Sequence, residues 1–427
     1  MSVSPARAAA FDILLRIERE RAFSSVLLPQ YEDRLSAVDR GLCHELVLGT
    51  LRRQLRLDRL IDRFSAGKKV DIEVRIAARI GLLQLLDLDR VPPRAAVNES
   101  VHLVKRAKKT SAAGFVNALL RGATRERPSI EYSDGLDRIS VETSHPRWLV
   151  ERWTEQHGLI GAEQLANANN RQARIAFRVL GAPDVRTEEL ISSARPSDVA
   201  DGCYLLDRST PLLHTLAVED KVYLQDEASQ MVALAVETGD AGRFLDVCAA
   251  PGGKTGLVTL LNRPQLAVAG DLYAARAELL RDNCRRQGCD VKIVRHNAAA
   301  PLPFTDAAFD AVLVDAPCSG TGTIRHNPEI RYFLDAKDIA ELSLKQRLIL
   351  NEASKTVKYG GLMVYSTCSL EPEEGENVAA AFIAEHNDFE PAVPHVPERF
   401  QTSDGFARTW PDRDDMDGFF IAAFRRR

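Results

Sequence analysis

Two cysteines stand directly after short apolar segments, in positions suited to catalytic thiols. Cys318 lies in the run LVDAPCSGTG, and Cys368 lies in the run VYSTCSL. Each apolar segment is predicted to be a buried strand, and groups just beyond the carboxyl ends of strands in an open α/β sheet face the ligand crevice. A thiolate there is a nucleophile that can form a covalent intermediate. The alternative is an inert thiol, because a lone cysteine at a strand end is more often a small buried residue.

Length and composition indicate a globular protein with more than one core. The chain has 427 residues, 45% of them hydrophobic and 27% charged, which is enough for two or three cores of about 150 residues. Charges interrupt the apolar stretches, so neither a signal peptide nor a membrane span is predicted, and a cytoplasmic location is expected. The 7 cysteines form no CxxC pair, which argues against a disulfide framework and against a metal site.

The order of the predicted elements divides the chain into three parts. Residues 1–130 have apolar positions at helical spacing and are predicted to form an all-α bundle. Residues 131–220 contain a helix from about 146 to 167 and two strand-like runs, ARIAFRVL and CYLLD, which predict a small α+β module. Residues 221–427 repeat apolar strand, turn and helix, as in a parallel α/β sheet. The strand candidates are Phe244 to Val247, Leu266 to Ala269, Val291 to Val294, Phe309 to Val314 and Leu362 to Tyr365.

Basic residues cluster in the helical part. They include Arg52, Arg53, Arg56, Arg59, Arg63, Lys68, Lys69, Lys105, Arg106, Lys108 and Lys109. A single run of this kind is equally consistent with a solvated helix face. Several runs in one small domain favour contact with phosphate groups. The net charge of -4 is not contrary, because nucleic-acid binding needs only a local basic face.

The loop CAAPGGKT follows the first strand of the third part and has the features of a cofactor loop. Gly252 and Gly253 permit close approach of the backbone to a ligand at the start of the next helix. A Walker P-loop would need glycine where the chain has Cys248, and a GxGxxG fingerprint is absent. The loop suits a nucleoside that carries a carboxylate and a sulfonium group. Asp271 lies close to the ~20-residue offset of a ribose-binding acid.

Two polar residues near this loop have competing interpretations. Asp246 is costly to bury on an apolar strand without partners, and an anchoring role through backbone amides is favoured over direct ligand contact. Asn297 could bind the edge of an adenine ring. An asparagine at a strand end is, however, more often a turn former.

With a sulfonium cofactor at this edge of the sheet, the cysteines support a specific reaction. Cytosine C5 is too weak a nucleophile to accept a methyl group, but addition of a thiolate at C6 converts the ring into a reactive enamine. Asp315, just before the first cysteine, could hydrogen-bond or protonate the ring at N3. A second thiol could assist in removing the C5 proton. The residues alone do not decide which cysteine attacks.

Several motifs resemble the bacterial ribosomal RNA cytosine-5 methyltransferases of the RsmB (Sun, Fmu) type, a group of Sun-domain RNA methyltransferases. They are LDVCAAPGGKT, DAPCSGTG, YSTCSLEPEEGENV and DGFFIAAF. The stretches LVLGTLRRQLRLDRLID, RVPPRAAVNESVHLVKRAK and GFVNALLR are similar to the NusB-like RNA-binding domain of that family. The resemblance implies a Rossmann-like S-adenosyl-L-methionine-dependent methyltransferase domain, an N-terminal NusB-like bundle and 16S ribosomal RNA as the substrate.

The resemblance also implies roles for individual residues. Cys368 would be the nucleophile, Cys318 would release the product, and Lys254 would lie beside Asp315. The residues around the cofactor would be Cys248, Ala249, Ala250, Pro251, Gly252, Gly253, Lys254, Asp271, Asn297 and Asp315. Those that contact RNA would be Arg52, Arg53, Arg56, Arg325 and Arg331.

Two residues depart from the family pattern, and two other functions are alternatives to methyl transfer. Asn297 stands where the family often has aspartate, and Leu180 stands where asparagine is common. An RNA-binding assembly protein without turnover is the second hypothesis, although both thiols and the cofactor loop are retained. A cysteine hydrolase is disfavoured because His296 and His326 lie in turn-like stretches without motif support as a base.

Overall fold

The computed structural model describes residues 3–32, 34–126, 128–239 and 242–427, which fall into two units. The first unit runs to Arg171 and also contains Ile324–Leu334. The second comprises Gln172–Thr323 and Asp335–Arg427. The functional division into residues 1–130, 131–220 and 221–427 stays a prediction.

The first unit is all-helical, as the apolar spacing predicted. Its helices are α1 (Pro5–Glu20), α2 (Ser24–Glu32), α3 (Ala37–Arg52), α4 (Gln54–Phe64), α5 (Ile72–Asp87), α6 (Pro93–Arg106), α7 (Ala113–Arg125), α8 (Gly135–Thr143) and α9 (Arg147–Asn170). Helix α5 is the most apolar of them and is buried along most of its length. Close packing between α5 and α7 depends on Gly81, because a Cβ atom there would lie 2.5 Å from Leu120 Cδ1.

Helix α9 confirms the helix predicted from about 146 to 167, with one interruption. Gly158 has φ 71° and ψ 168° and breaks the regular helix within α9. A positive φ of this kind is readily adopted by glycine, which has no Cβ atom. The kink therefore occurs at a residue suited to it.

The second unit begins with a small antiparallel sheet, which confirms the strands predicted in ARIAFRVL and CYLLD. Its strands are β1 (Ile175–Val179), β2 (Arg195–Pro196), β3 (Cys203–Leu206) and β4 (Val222–Leu224). They lie in the order β2-β3-β1-β4. The accompanying helices are α10 (Val185–Ser192), α11 (Pro211–Val218) and α12 (Glu227–Leu234).

A larger sheet forms the rest of the second unit. Its strands are β5 (Arg243–Asp246), β6 (Leu266–Asp271), β7 (Lys292–Arg295), β8 (Phe309–Asp315), β9 (Val357–Thr367), β10 (Phe389–Ala392), β11 (Ala407–Arg408) and β12 (Phe420–Arg426). The order is β10-β12-β9-β8-β5-β6-β7, and β11 pairs with β12. Strands β5 to β9 pair in parallel, whereas β12 is antiparallel to β9.

Helices connect the parallel strands of this sheet. They are α13 (Gly253–Asn262), α14 (Ala274–Arg286), α15 (Ile330–Phe333), α16 (Ala336–Thr356) and α17 (Glu376–Glu385), of which α15 belongs to the first unit. The predicted α/β pattern is confirmed, but β9 begins at Val357 and not at Leu362. The glycines Gly360 and Gly361 weaken the apolar strand pattern there. Within the part of the chain that the structure describes, no helix has the length and apolar character needed to cross a membrane.

Candidate active site

The carboxyl ends of four adjacent parallel strands carry the polar residues of the candidate site. In the order β6, β5, β8 and β9, these strands end at Asp271, Asp246, Asp315 and Thr367. The strands themselves are apolar and buried, so they fix the positions of the loops that follow them. The carboxyl edge of a parallel sheet, at the point where the strand order reverses, is the usual position of a ligand crevice.

Cys318 and Cys368 are in direct contact at this edge. Their Sγ atoms are 3.3 Å apart, and both side chains are partly buried. The hydrogen bond to Cys368, together with burial, raises the pKa of Cys318 well above its ordinary value. Either sulfur can donate in this contact, so the two thiols are close enough to share a proton.

An ion pair lies next to the thiols. Lys254 Nζ donates to Asp315 Oδ2 at 2.8 Å, and Asp315 Oδ1 accepts a hydrogen bond from Ser366 Oγ at 2.7 Å. The ammonium group also lies 4.9 Å from the centre of the Phe419 ring. Burial disfavours the ammonium form, but the contact with Asp315 outweighs it, so the pKa of Lys254 is raised. The contact expected between Lys254 and Asp315 is thus present.

A buried carboxyl group, that of Asp246, holds the loop that follows β5. Asp246 accepts hydrogen bonds from Thr255 Oγ1 at 2.7 Å and from the Cys248 amide at 3.4 Å. Burial raises the pKa of Asp246 to about 7. Asp246 thus binds both ends of the loop, through one backbone amide and one hydroxyl group, as an anchoring residue would. Gly252 closes the loop with φ 105°, a conformation that favours glycine.

Asp271 is connected to the same loop. Its carboxylate accepts hydrogen bonds from Arg276 Nε at 3.0 Å and from the Tyr273 amide at 3.2 Å. Arg276 also donates to the Ala250 carbonyl at 2.8 Å. Asn297, in contrast, is exposed, and its Oδ1 accepts a hydrogen bond from the Ala299 amide at 3.1 Å. Asn297 is thus a turn former in this structure, and the adenine contact stays a prediction.

These residues have the groups that S-adenosyl-L-methionine requires. The first turn of α13 presents amide groups and the positive end of the helix dipole, which suit a carboxylate. The Asp271 carboxylate can accept hydrogen bonds from ribose hydroxyls. A Cβ atom at Gly253 would lie 3.1 Å from the Tyr223 ring, so a side chain would crowd the start of this helix. The donor and acceptor set therefore fits the cofactor, with Cys248–Lys254 as its central loop.

One buried residue of the site has no role in the sequence predictions. Glu374 lies within the motif YSTCSLEPEEGENV, and its side chain contacts the residues that follow both cysteines. The sequence signal was an acidic residue close to Cys368 in a motif that already suggested function. Its partners near Cys318, 55 positions away, could not be identified without the fold.

The arginines predicted to bind RNA differ in their accessibility. Arg53 and Arg56 are partly exposed, and both lie beside Asp87, at 3.3 and 3.2 Å from its Oδ1 atom. Arg52 donates to the carbonyl oxygen of Arg325 at 3.0 Å. Burial lowers the pKa of Arg52. Contact of these three side chains with RNA stays a prediction.

Arg331 and Arg325, which the resemblance implies as RNA contacts, are both buried in this structure. Their exposed fractions are 0% and 2%. Arg331 Nη1 donates to the Thr143 carbonyl at 3.1 Å and to Asn170 Oδ1 at 3.0 Å. Burial lowers the pKa of Arg331 to about 10. Arg331 therefore stabilises the helical unit from inside, because Ile324–Leu334 packs as part of that unit.

The sheet order, the antiparallel strand β12 and the glycine-containing loop after β5 define a Rossmann-like methyltransferase domain. Solved structures agree. The crystal structure of PH0851 superposes with a TM-score of 0.84, at 25% identity over 100% of both chains. The crystal structure of NSun6 from Pyrococcus horikoshii with SFG has the same fold, with a TM-score of 0.56 at 19% identity over 66% of this chain and 98% of that chain.

Sequence comparisons identify the family. The profile of the 16S rRNA methyltransferases RsmB/F matches residues 231–425, and that of the NusB family matches residues 4–125. The chain is 34% identical to the probable ribosomal RNA small subunit methyltransferase B of Bacillus subtilis, over 100% of both chains. It is 35% identical to ribosomal RNA small subunit methyltransferase B of Pseudomonas syringae, over 88% of this chain and 86% of that protein.

The chain belongs to the RsmB family of ribosomal RNA methyltransferases. This membership confirms the predicted methyltransferase class, the NusB-like helical region and S-adenosyl-L-methionine as the cofactor.

Proposed function

We propose that this enzyme forms 5-methylcytosine in small-subunit ribosomal RNA through a covalent bond between Cys368 and cytosine C6. The observation that carries the proposal is the 3.3 Å contact between the two thiols. The Asp315–Lys254 pair at the next strand end supplies the acid–base groups. S-adenosyl-L-methionine, when bound, supplies the methyl group that C5 accepts.

Cys368 is the better nucleophile of the two cysteines for electrostatic reasons. The thiol of Cys318 holds its proton and can donate it in a hydrogen bond to the Cys368 sulfur, which stabilises a thiolate. The partly buried Lys254 ammonium also interacts electrostatically with Cys368. Both contacts favour a negative charge on Cys368. Its addition to C6 then forms a carbon–sulfur bond and makes C5 nucleophilic.

Asp315 and Lys254 assist at the cytosine ring. Addition at C6 increases the electron density on N3, which must receive a proton or a strong hydrogen bond. A proton can pass from the Lys254 ammonium group to the Asp315 oxygen and then to N3, and it returns by the same route when the ring re-forms. Because Lys254 holds Asp315 at 2.8 Å, the carboxyl group is oriented before the base enters.

Cys318 assists the release of the product. When Cys368 is bonded to C6, its sulfur no longer forms the hydrogen bond with Cys318. The Cys318 thiol then holds its proton less tightly. After C5 has accepted the methyl group, the Cys318 thiol gives up its proton to solvent, and the resulting thiolate takes the proton from C5. The C6–sulfur bond breaks, the ring double bond forms again, and Cys368 returns as a thiolate.

In this proposal the helical unit binds the RNA, and residues 1–130 are the RNA-binding domain. The ribosomal substrate lies in the cytoplasm. The target cytosine must leave its base stack to reach the strand-end site. Exposed lysines near the end of α6 offer phosphate contacts. An RNA-binding protein without turnover is the second hypothesis, but it gives no reason for two thiols in contact beside an ion pair.

Methylation of purified small-subunit ribosomal RNA tests the proposal. The enzyme is incubated with the RNA and S-adenosyl-L-methionine, and the product is analysed by nucleoside mass spectrometry and bisulfite sequencing. We expect 5-methylcytosine at a discrete position, with none formed by Cys368→Ala. A methylated ribose, a methyl group on a ring nitrogen, or unchanged activity of Cys368→Ala would contradict it.

A further inference from the structure

Glu374 connects the loops that carry the two cysteines. We infer that it is a positioning residue that sets the relative placement of the Cys318 and Cys368 thiols, an inference that rests on the proposed function of these thiols. Each cysteine is followed by a serine, Ser319 or Ser369, and both serines bind the same carboxylate. A single side chain thus controls two loops from different parts of the chain.

The carboxylate of Glu374 accepts hydrogen bonds at both oxygens. Oε1 accepts from the Ser319 amide at 2.9 Å and from Gln346 Nε2 at 2.9 Å. Oε2 accepts from Ser369 Oγ at 2.6 Å and also from Ser319 Oγ. Glu374 is 0% exposed, so these contacts are formed away from solvent. Hydrogen bonds to a charged acceptor are stronger than those between neutral groups.

The loop of Cys318 is fixed on both sides of the cysteine. Ser319, just after it, donates to Glu374 through both its amide and its hydroxyl. Pro317, just before it, accepts a hydrogen bond at its carbonyl from Gln346 Nε2 at 3.0 Å. The same Gln346 amide also binds Glu374. The backbone of Cys318 is therefore held on one side by Glu374 directly and on the other side by Gln346, which itself binds Glu374.

The loop of Cys368 is fixed in the same way. Ser369 donates to the Glu374 carboxylate, and Thr367 Oγ1 donates to the Glu374 carbonyl at 3.2 Å. The hydroxyl groups of Ser319 and Ser369 also lie 3.0 Å apart, which joins the two loops directly. Tyr365 donates to the Glu374 carbonyl at 2.6 Å and ties this residue to β9.

Burying the carboxyl group of Glu374 is unfavourable, and close packing does not need a charged group at this position. Burial raises the pKa of Glu374, and the hydrogen bonds from the serines and Gln346 oppose that shift. An apolar residue would fill the same space without this cost. A carboxylate, however, can accept several hydrogen bonds at once from two loops. Thiols that must reach C6 and C5 of one ring need such fixed placement, because a 1 Å error can reduce a rate about 100-fold.

Alkylation of the two thiols tests this role independently of the methyl-transfer chemistry. The full-length enzyme is treated with iodoacetamide, and the rates at Cys318 and Cys368 are measured by peptide mass spectrometry. Glu374→Gln keeps the side-chain size but presents an NH₂ group to donors. The single variants Ser319→Ala and Ser369→Ala each remove one hydroxyl. Glu385→Gln on the surface of α17 is the matched control.

We expect Glu374→Gln to change the alkylation rate of at least one thiol about 10-fold and to lower kcat about 10- to 100-fold, with cofactor Kd little changed. Ser369→Ala should slow adduct formation with RNA, whereas Ser319→Ala should slow product release. Wild-type alkylation rates in Glu374→Gln and both serine variants would overturn the inference. Failure of the wild type to form an RNA adduct would instead refute the proposed function, whatever the alkylation rates.

Discussion

Cys318 Sγ and Cys368 Sγ are 3.3 Å apart, although 50 positions separate the two residues in the chain. The contact exists because β8 and β9 are parallel neighbours, with Asp315 in register with Ser366. Cys368 directly follows Thr367 at the end of β9, and Cys318 follows Asp315 after Ala316 and Pro317, so the two thiols meet at one edge of the sheet. Proximity of this kind allows one thiol to act on an intermediate held by the other.

The ion pair beside the thiols should be essential for catalysis. We expect Asp315→Asn and Lys254→Met each to lower kcat about 100-fold or more, because proton transfer at N3 loses its donor or its orientation. The double variant should lose little more than either single variant, since the two groups act as one unit. Steady-state methylation kinetics check this. Lys292→Met, at an exposed pair with Asp290, is the control and should retain wild-type activity.

Asp246 should make stability depend on pH. Its pKa is raised from 3.8 to about 7 by burial, so between these pH values the folded protein holds a proton that the unfolded chain has lost. Stability from this group is therefore lost as the pH rises through the window. The free energy of unfolding of the wild type, relative to Asp246→Asn, should fall between about pH 4 and pH 7.

Denaturant unfolding at several pH values measures this difference for Asp246. Asp282→Asn, on the exposed surface of α14, is the control. A difference between wild type and Asp246→Asn that is constant across the window would mean that Asp246 titrates normally in the folded state.

Lys105 and Lys108 should contribute to RNA binding. Both side chains are exposed near the end of α6, whereas the neighbouring Arg106 and Lys109 are paired with Asp12 and Asp71. Replacing both lysines by alanine should weaken binding and reduce the slope of log K against log salt by roughly 1.4 to 1.8. Arg106→Ala with Lys109→Ala is the matched control, and an equal slope change in both double variants would contradict the assignment.

Arg331 should act on stability and not on RNA affinity. Arg331→Met would leave the Thr143 carbonyl and Asn170 Oδ1 without this donor, at a cost of about 2–4 kcal/mol in the free energy of unfolding. Arg121→Met, at an exposed position of α7, should change stability by less than about 0.5 kcal/mol. Denaturant unfolding and a salt titration of RNA binding separate the two effects. If Arg331→Met had wild-type stability but a smaller slope of log K against log salt, Arg331 would instead be an RNA-binding residue.

Much of the fold could be predicted because local patterns determine it. The strands that end at Asp246, Asp271 and Asp315 are short apolar runs bounded by turn residues, and they form where the pattern indicates. The start of β9 was missed because Gly360 and Gly361 interrupt its apolar pattern. Local sequence therefore identified the strand ends that carry the site but not every boundary.

The surroundings of two residues depend on contacts that are distant in the chain. Arg331 resembles a surface residue in sequence, but its hydrogen-bond partners lie 161 and 188 positions away in the helical unit. Glu374 stands in a recognised motif, yet its role depends on Ser319 and Gln346. Burial of a charged side chain is a property of tertiary packing, so sequence periodicity does not reveal it.

The identity of the attacking sulfur is the central claim, and a trapped adduct tests it most directly. RNA containing 5-fluorocytidine at the target position has no C5 proton to lose, so the covalent intermediate should persist. The adduct is digested, and the modified peptide is identified by mass spectrometry. Cys318→Ala should accumulate a similar adduct on unmodified RNA because release fails. Cys368→Ala should form no adduct. The control Cys43→Ala should behave as the wild type. We predict RNA attached to Cys368, and attachment to Cys318 would contradict the account.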